Sequence, residues 1–482
     1  MESLFRNKPA RRRVLFCRLL IILPVIIGVA LLARPADASF SIDDENKLGK
    51  EIHQKIEGAK LLFHDVKSED YINRLGRKIL AQSGTPSFDF RFFILNSSAI
   101  NAFATPGGYV YINRGLIGLV DNESELAGVI AHEIAHVNCR HIARNIEKSQ
   151  KIGMASLAAI VAGILLGGGT GTEAVLGLSM ATASHMQLAY SRENEEEADR
   201  LGISYLAAAG YSGRGMLTFM KTMKNYEFYS SSIPSYFLSH PGTDERIRYL
   251  DALIESRYKS GGKLNILGGL SRVKSILVLE EKDPSVAERY FAGRLKRNPK
   301  DLEGLFGISV VRSRKGQTEE ALAGFRKALA VAPSDVDVIR QLGLAYLKAG
   351  RTVDAVNTLR QAYMLQENDY ETLLQLARGY DELGDYKTSL DLFLKYRKRY
   401  PGDDQVLYAV AMNYGRTGNP GESHYHFGLY FKKKSKSESA LFHFREALKH
   451  PSSPGRTAEL DREIESLQKV KKSLFSKEKA KR

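Results

Sequence analysis

His132, Glu133 and His136 stand in the order H-E-x-x-H within an apolar run, Leu126 to Val137, whose pattern reads as a buried helix. Two histidines four apart share one helix face, about one turn from each other. Each can turn an imidazole nitrogen onto a single tetrahedral Zn²⁺, and the glutamate between them is placed to take a proton from water at the metal. The competing reading is a core helix whose histidines are merely hydrogen-bonded. Histidine is infrequent, 11 in 482 residues, so a chance match is uncommon. The chemistry such a pair supports is hydrolysis of a peptide bond by metal-activated water.

A tetrahedral site of this kind needs a third protein ligand and one open position. His141 is the nearest histidine, but it follows His136 by five residues, where the extended pattern with a third histidine needs six and a glycine turn. It reads as a residue at the helix end, either supporting a ligand or simply capping. Downstream, the stretch Ser191-Arg-Glu-Asn-Glu-Glu-Glu-Ala-Asp199 puts Glu195 and Asp199 four apart on one helix face. Glu195 could ligate, and Asp199 could hold the free N–H of a ligating histidine. By composition alone the same stretch is an acidic, solvated face.

Together, H-E-x-x-H and the S-R-x-x-E-x-x-A-D stretch resemble the gluzincin family that contains the CAAX prenyl proteases and the HtpX heat-shock proteases. The resemblance implies one Zn²⁺ per chain, with Glu195 rather than Glu193, Glu196 or Glu197 as third ligand and Glu133 as the catalytic base. Ser239-His240-Pro241, followed by Arg246, is similar to a further family element near the site. There His240 would steady the oxyanion, or occupy the open position of zinc and keep the enzyme latent; the alternative is a structural histidine before proline. Arg246 would pair with a site carboxylate, or form a surface salt bridge. Asn101-Ala-Phe-Ala and Gly107-Gly108-Tyr109-Val-Tyr111 resemble the family's active-site edge strand, which would bind an extended peptide by β-augmentation.

These motifs need elements to position them. Amphipathic helices are expected over 41–95, closing on a strand at Phe88–Leu95. Pro106-Gly107-Gly108 lies between short β-prone runs and predicts a hairpin or edge strand. Helices are expected at Leu116–Val120, Glu123–Ala143 and Leu201–Glu255. Gly153–Met186, rich in Ala, Gly, Leu and Ile, is too short and too broken by glycine for a clear membrane span, and reads as a helical hairpin near the site.

Beyond a polar Lys259-Ser-Gly-Gly-Lys263 stretch lies a repeat. Gly316, Gly350, Gly384 and Gly418 recur every 34 residues, with Ala321, Ala355, Ser389 and Ser423 and with Phe325, Leu359, Phe393 and Phe427 in phase. That helix–turn–helix period is the tetratricopeptide (TPR) pattern. Ala287, Phe291 and Pro299 suggest a half-repeat upstream, and the pattern restarts out of phase around Ser435. The expected fold is therefore mainly α: an α+β zincin-type metallopeptidase domain with a small edge β-sheet, then an α-solenoid of TPR hairpins. The boundaries expected are a signal peptide over 1–38, a peptidase domain over 39–258, a linker over 259–281, the array over 282–454 and a basic helical tail over 455–482.

Composition is globular, 43% hydrophobic and 26% charged, with a formal charge of +15. Seven Lys/Arg against Glu2 and Asp37 fall in residues 1–38, ahead of and around an apolar run, Leu19–Ala33, and a small-x-small site at Ala36-Asp37-Ala38. This resembles an export signal, which would leave the protein in the periplasm; retention of residues 14–33 as an inner-membrane anchor is the alternative. Cys17 would leave with the signal and Cys139 would remain alone, so no disulfide framework is expected. A basic surface favours contact with a membrane, but no nucleic-acid module is visible. The signal, peptidase and TPR segments together look like the periplasmic BepA-like branch of the family. That resemblance implies an envelope quality-control endopeptidase whose repeats recruit misfolded envelope proteins or the outer-membrane assembly machinery. The rival expectation is a mostly latent peptidase that works as a chaperone or assembly adaptor.

Overall fold

The computed structural model describes residues 40–149, 190–230, 235–258, 261–281, 283–450 and 454–479. The expected export signal and the apolar 153–186 stretch lie outside them. The chain divides into two compact units, Met1–Leu277 and Val278–Arg482.

In the first unit, Ser41 caps α1 (Ile42–Gly58) and Asp65 caps α2 (Val66–Leu80), each side chain accepting from a backbone N–H of the first turn. The apolar residues of both helices recur at helical spacing and are buried, Leu48, Ile52 and Ile56 on α1 and Ile72, Leu75 and Ile79 on α2. Three short strands follow: β1 (Arg91–Leu95), β2 (Ala102–Thr105) and β3 (Tyr109–Asn113). Their order is β1-β3-β2, with β1 parallel and β2 antiparallel to β3. The Pro106-Gly107-Gly108 turn closes the β2–β3 hairpin, and both glycines take positive φ. Among the described residues β1 and β2 are therefore the two edge strands, with β3 between them. The alternation of β3 splits the sheet between two cores, with Tyr109 and Tyr111 toward α1 and Val110 and Ile112 toward the larger core.

After α3 (Arg114–Leu119) comes α4 (Glu123–Asn138), capped by Asn122 and buried almost throughout. It packs against α2, β2 and two later helices, α6 (Arg192–Ala208) and α7 (Arg214–Ser230). The single helix expected over 123–143 is broken. Arg140 adopts φ +53°, and α5 (His141–Ser149) begins as a new element. The break is held from outside the helix, because the Arg140 guanidinium donates to Glu45 at 2.5 Å and to the Phe40 carbonyl. The helical span expected over 201–255 is likewise divided, into the end of α6, then α7, α8 (Ser235–Ser239) and α9 (Thr243–Arg257). Leu270, Val273 and Leu277 of α10 (Leu270–Leu279) complete the core of this unit.

The second unit is a run of helix pairs. α11 (Pro284–Arg297) buries Ala287 and Phe291. Then come α12 (Leu302–Arg314) with α13 (Thr318–Val331), α14 (Val336–Lys348) with α15 (Thr352–Leu365), α16 (Tyr370–Leu383) with α17 (Tyr386–Arg399), and α18 (Asp404–Arg416) with α19 (Pro420–Lys433). Gly316, Gly350, Gly384 and Gly418 sit in the four turns with φ between +69° and +87°, a conformation a side chain would strain. Ala321, Ala355 and Ser389 are fully buried where partner helices meet. Burying Phe325, Leu359 and Phe393 beside them stabilises by roughly 1.5–3 kcal/mol each. The closing part is α20 (Ser437–Leu448) and α21 (Pro454–Lys479), and α19 packs against both α18 and α20. Ser435, at φ +57°, makes the turn that glycine makes elsewhere, and Leu460 and Leu467 of α21 are buried. Among the described residues no helix is long and apolar enough to cross a membrane.

Candidate metal centre

α4 presents His132 and His136 on one face, and α6 brings Glu195 and Asp199 against them. Ser191 caps α6, so Glu195 lies in its first turn, where the helix dipole favours negative charge. The two helices approach closely because Gly202 has no side chain: a Cβ there would stand 3.0 Å from the His132 nitrogen. The end of α8 supplies His240, and α9 supplies Arg246 and Tyr249.

The imidazole Nε2 atoms of His132 and His136 lie 2.9 Å apart. Glu195 Oε2 is 3.4 Å from the first, and Oε1 is 3.4 Å from the second. His240 Nδ1 is 3.0 Å from Glu195 Oε1 and 3.3 Å from His132 Nε2. All four side chains are buried, and their ligand atoms lie within 4.8 Å of one another.

The outer atoms of these groups are held in turn. His132 Nδ1 is 2.8 Å from Asp199 Oδ1, which leaves Nε2 on the inner side. His141 donates from Nε2 to Glu197 at 3.0 Å, which leaves its Nδ1 to accept from His136 Nδ1–H at 2.8 Å. His136 Nε2 therefore also points inward as a lone pair. Arg246 clamps both carboxylates: its guanidinium is 2.5 Å from Glu195 and donates to both Asp199 oxygens at 2.8 and 2.7 Å. Tyr249 donates to Asp199 as well.

The electrostatics follow from this packing. Burial acts to raise the Glu195 and Asp199 carboxyls, but Arg246, with His240 and His132, outweighs it and holds both below the usual range. Burial likewise acts to lower the His132 imidazole, but Asp199 and Glu195 carry it up to about 9. Burial and the neighbouring His132 hold His136 well below its ordinary value. The pocket thus draws positive charge to the point where two imidazoles and a carboxylate meet. Such a donor set, nitrogen and oxygen atoms converging around a small polar centre, fits a divalent zinc-class ion.

Glu133 points into the same place from α4. It is fully buried, its nearest charged neighbour is His240 Nε2 at 3.4 Å, and neither carboxylate oxygen has a hydrogen-bond partner among the described residues. Burial pushes this carboxyl up, with His240 and His132 opposing. Tyr190 is a residue the motif reading passed over. Its ring stacks on His136 with centroids 3.7 Å apart, and its buried hydroxyl has no partner among the described residues. Nothing about a tyrosine before a helix cap marks it in a sequence; Tyr249 and the link from His141 to Glu197 were equally silent.

The edge-strand residues are dispersed. Asn101, at the start of β2, is buried and lies 3.5 Å from the Ser239 hydroxyl beside His240. Ala102 and Ala104 face the core that contains α4. Gly107 and Gly108 sit in the hairpin turn against Asn46 and Asp89. Tyr109 faces the other side of the sheet, packed on His53 and Phe93.

Comparison with known proteins matches residues 67–254 to the model of Peptidase family M48 and residues 371–403 to a tetratricopeptide repeat. The beta-barrel assembly-enhancing protease of Yersinia pestis is 35% identical over 214 residues, covering 44% of this chain and 44% of that protein. The protein of the same name in Escherichia coli strain K12 is 34% identical over 215 residues, again 44% of each chain. The mitochondrial metalloendopeptidase OMA1 of Schizosaccharomyces pombe is 25% identical over 44% of this chain and 61% of its own. The matches to the two assembly-enhancing proteases thus span less than half the length of those relatives. The family match over residues 67–254 falls in the unit that carries both motifs, so the chain holds a peptidase family M48 domain joined to C-terminal tetratricopeptide repeats.

Proposed function

We propose that the chain is a zinc-dependent endopeptidase of the bacterial envelope that degrades misfolded or stalled outer-membrane proteins. One observation carries the reading: two imidazole Nε2 atoms and a carboxylate converge, each with its outer atom held by a partner, beside an unpartnered Glu133. One Zn²⁺ per chain, held by His132, His136 and Glu195, would polarise the scissile carbonyl and acidify the attacking water. Glu133 takes the proton from that water and passes it to the departing amine. Asp199 and His141 keep the two imidazoles in the ligating tautomer, and Arg246 keeps Glu195 ionised. His240 and the Tyr190 hydroxyl are the donors for negative charge growing on the carbonyl oxygen. The edge strand β2, with Asn101 at its start and the Gly107-Gly108 turn at its end, takes an extended peptide as an added strand.

The domain plan is a peptidase domain over 39–258, a joining stretch over 259–281, a TPR array over 282–454 and a basic tail over 455–482. The array recruits unfolded envelope proteins or the assembly machinery on its concave face. The name of the bacterial relatives, beta-barrel assembly-enhancing protease, points to the same setting. Removal of residues 1–38 leaves the protein in the periplasm; the alternative is anchorage in the inner membrane.

A second reading is favoured by burial. His132, Glu133, His136, Glu195 and His240 are each at most 1% exposed, and all of β2 is buried. His240 stands among the ligands, where it fills the open position until displaced. On that reading the peptidase is largely latent and the TPR unit acts as a chaperone or assembly adaptor. Zinc content and cleavage of an unfolded protein, measured on protein starting at Ser39, test both. The protease reading expects about one zinc per chain, lost in Glu195→Gln, with cleavage in the wild type. Zinc without cleavage, and cleavage gained in His240→Ala, would favour latency. No zinc in the wild type would sink the peptidase reading.

A further inference from the structure

Next to the centre lies a second group of donors, of which the mechanism uses only His141, to orient His136. The thiol of Cys139, Nε2 of His141 and the carboxylate of Glu197 are mutually within 4.8 Å. Zinc ligands stand about 2.0–2.3 Å from the ion, which sets ligand-to-ligand separations of roughly 3–4 Å, so a small adjustment brings the three onto one cation. His141 and Glu197 already meet at 3.0 Å. The group is accessible from one side, because Cys139 is partly exposed and the Glu197 side chain is 44% exposed. Sulfur, imidazole and carboxylate are the donor mixture that thiophilic divalent ions accept. Two anionic ligands outweigh the nearby cation Arg144, whose guanidinium lies 3.3 Å from Glu197 and donates to the Cys139 carbonyl at 2.7 Å.

We propose that Cys139, His141 and Glu197 form a second site for a divalent, thiolate-binding ion of the zinc class, and that filling it inhibits the catalytic centre. Binding releases the thiol proton to solvent and moves the His141 ring proton from Nε2 to Nδ1. The cation takes the Nε2 lone pair of His141, so the remaining ring proton must sit on Nδ1. That atom faces His136 Nδ1–H at 2.8 Å. Two N–H groups cannot share that contact. A neutral imidazole gives up its second proton only far above neutral pH, so the bond opens and His136 loses the partner that orients it. The hold of His136 on the first ion then weakens. The two sites are thus antagonistic through one imidazole–imidazole contact.

Titration of the metal-free, reduced full-length protein with Co²⁺ tests this. The first equivalent enters a site without sulfur and gives no thiolate-to-cobalt charge-transfer band. The second equivalent is expected to produce that near-ultraviolet band, and to lower any peptidase activity roughly tenfold or more. Cys139→Ser should abolish the band and the inhibition while leaving first-equivalent binding intact. Arg144→Gln removes the competing cation and should tighten the second equivalent. A single equivalent bound, or a second bound without the band, would overturn the proposal. The inhibition rests on the zinc-peptidase reading but the absorption band does not, so a band without peptidase activity would count against that reading alone.

Discussion

Glu133 and Arg246 carry opposite burdens in the same pocket. Neither carboxylate oxygen of Glu133 has a hydrogen-bond partner among the described residues, which suits a group that must accept a proton and return it. Glu133→Gln keeps the shape and removes the base, so cleavage is expected to fall by about 10²–10⁴ while metal content stays unchanged. Parallel metal analysis and peptide cleavage read both quantities. Arg246 instead compensates two buried carboxylates at once. Arg246→Met leaves them facing each other, and a loss of about 3–5 kcal/mol is expected in urea unfolding of the metal-free protein. A loss below about 1 kcal/mol would mean that the carboxylates are protonated or hydrated there.

Helix-level features differ in how far sequence exposes them. The TPR array was legible because a left-handed turn selects glycine, and glycine at a strict 34-residue interval leaves a visible mark. The ligating residues were legible because histidine and glutamate at helical spacing are scarce. The break after α4 was not, because Arg140 is no helix breaker; its left-handed turn is stabilised by Glu45 and Phe40, about a hundred residues earlier. Tyr190 was hidden because its role depends on which ring it covers. Gly202 makes a prediction at this scale. Gly202→Ala places a methyl 3.0 Å from the His132 backbone, so α4 and α6 must part. A stability loss of about 1–3 kcal/mol and weaker metal binding are expected, measured by denaturant titration and by competition with a chelator.

The whole chain should respond to conditions in two separable ways. A chelator removes stabilisation only from the unit that holds the ion, so a calorimetric scan is expected to show one transition shifting down and a second unmoved. Acid acts on the other unit through His426. Burial, then Arg397 and Arg456, push its imidazole down to about 3. Between that value and the ordinary 6.5 the unfolded chain binds the extra proton. The TPR unit therefore keeps this stability above about pH 6.5 and loses it as pH falls toward 3, by at most about 1.4 kcal/mol per pH unit. His426→Gln should flatten that acid limb and leave the chelator-sensitive transition where it was.

Glu123 ties the first unit together across sequence. Its buried carboxylate accepts from the hydroxyls of Tyr71 and Tyr211 and from the backbone N–H groups of Ile266 and Leu267. Two of those four donors come more than 140 residues after it. As the chain emerges from a ribosome or a translocation pore, the metal motif is out long before the residues that complete its support. Until residue 267 follows, Glu123 lacks two of its partners, and a buried carboxylate short of donors is costly. The core around the metal motif therefore closes late, and the clock that sets its closing is chain length.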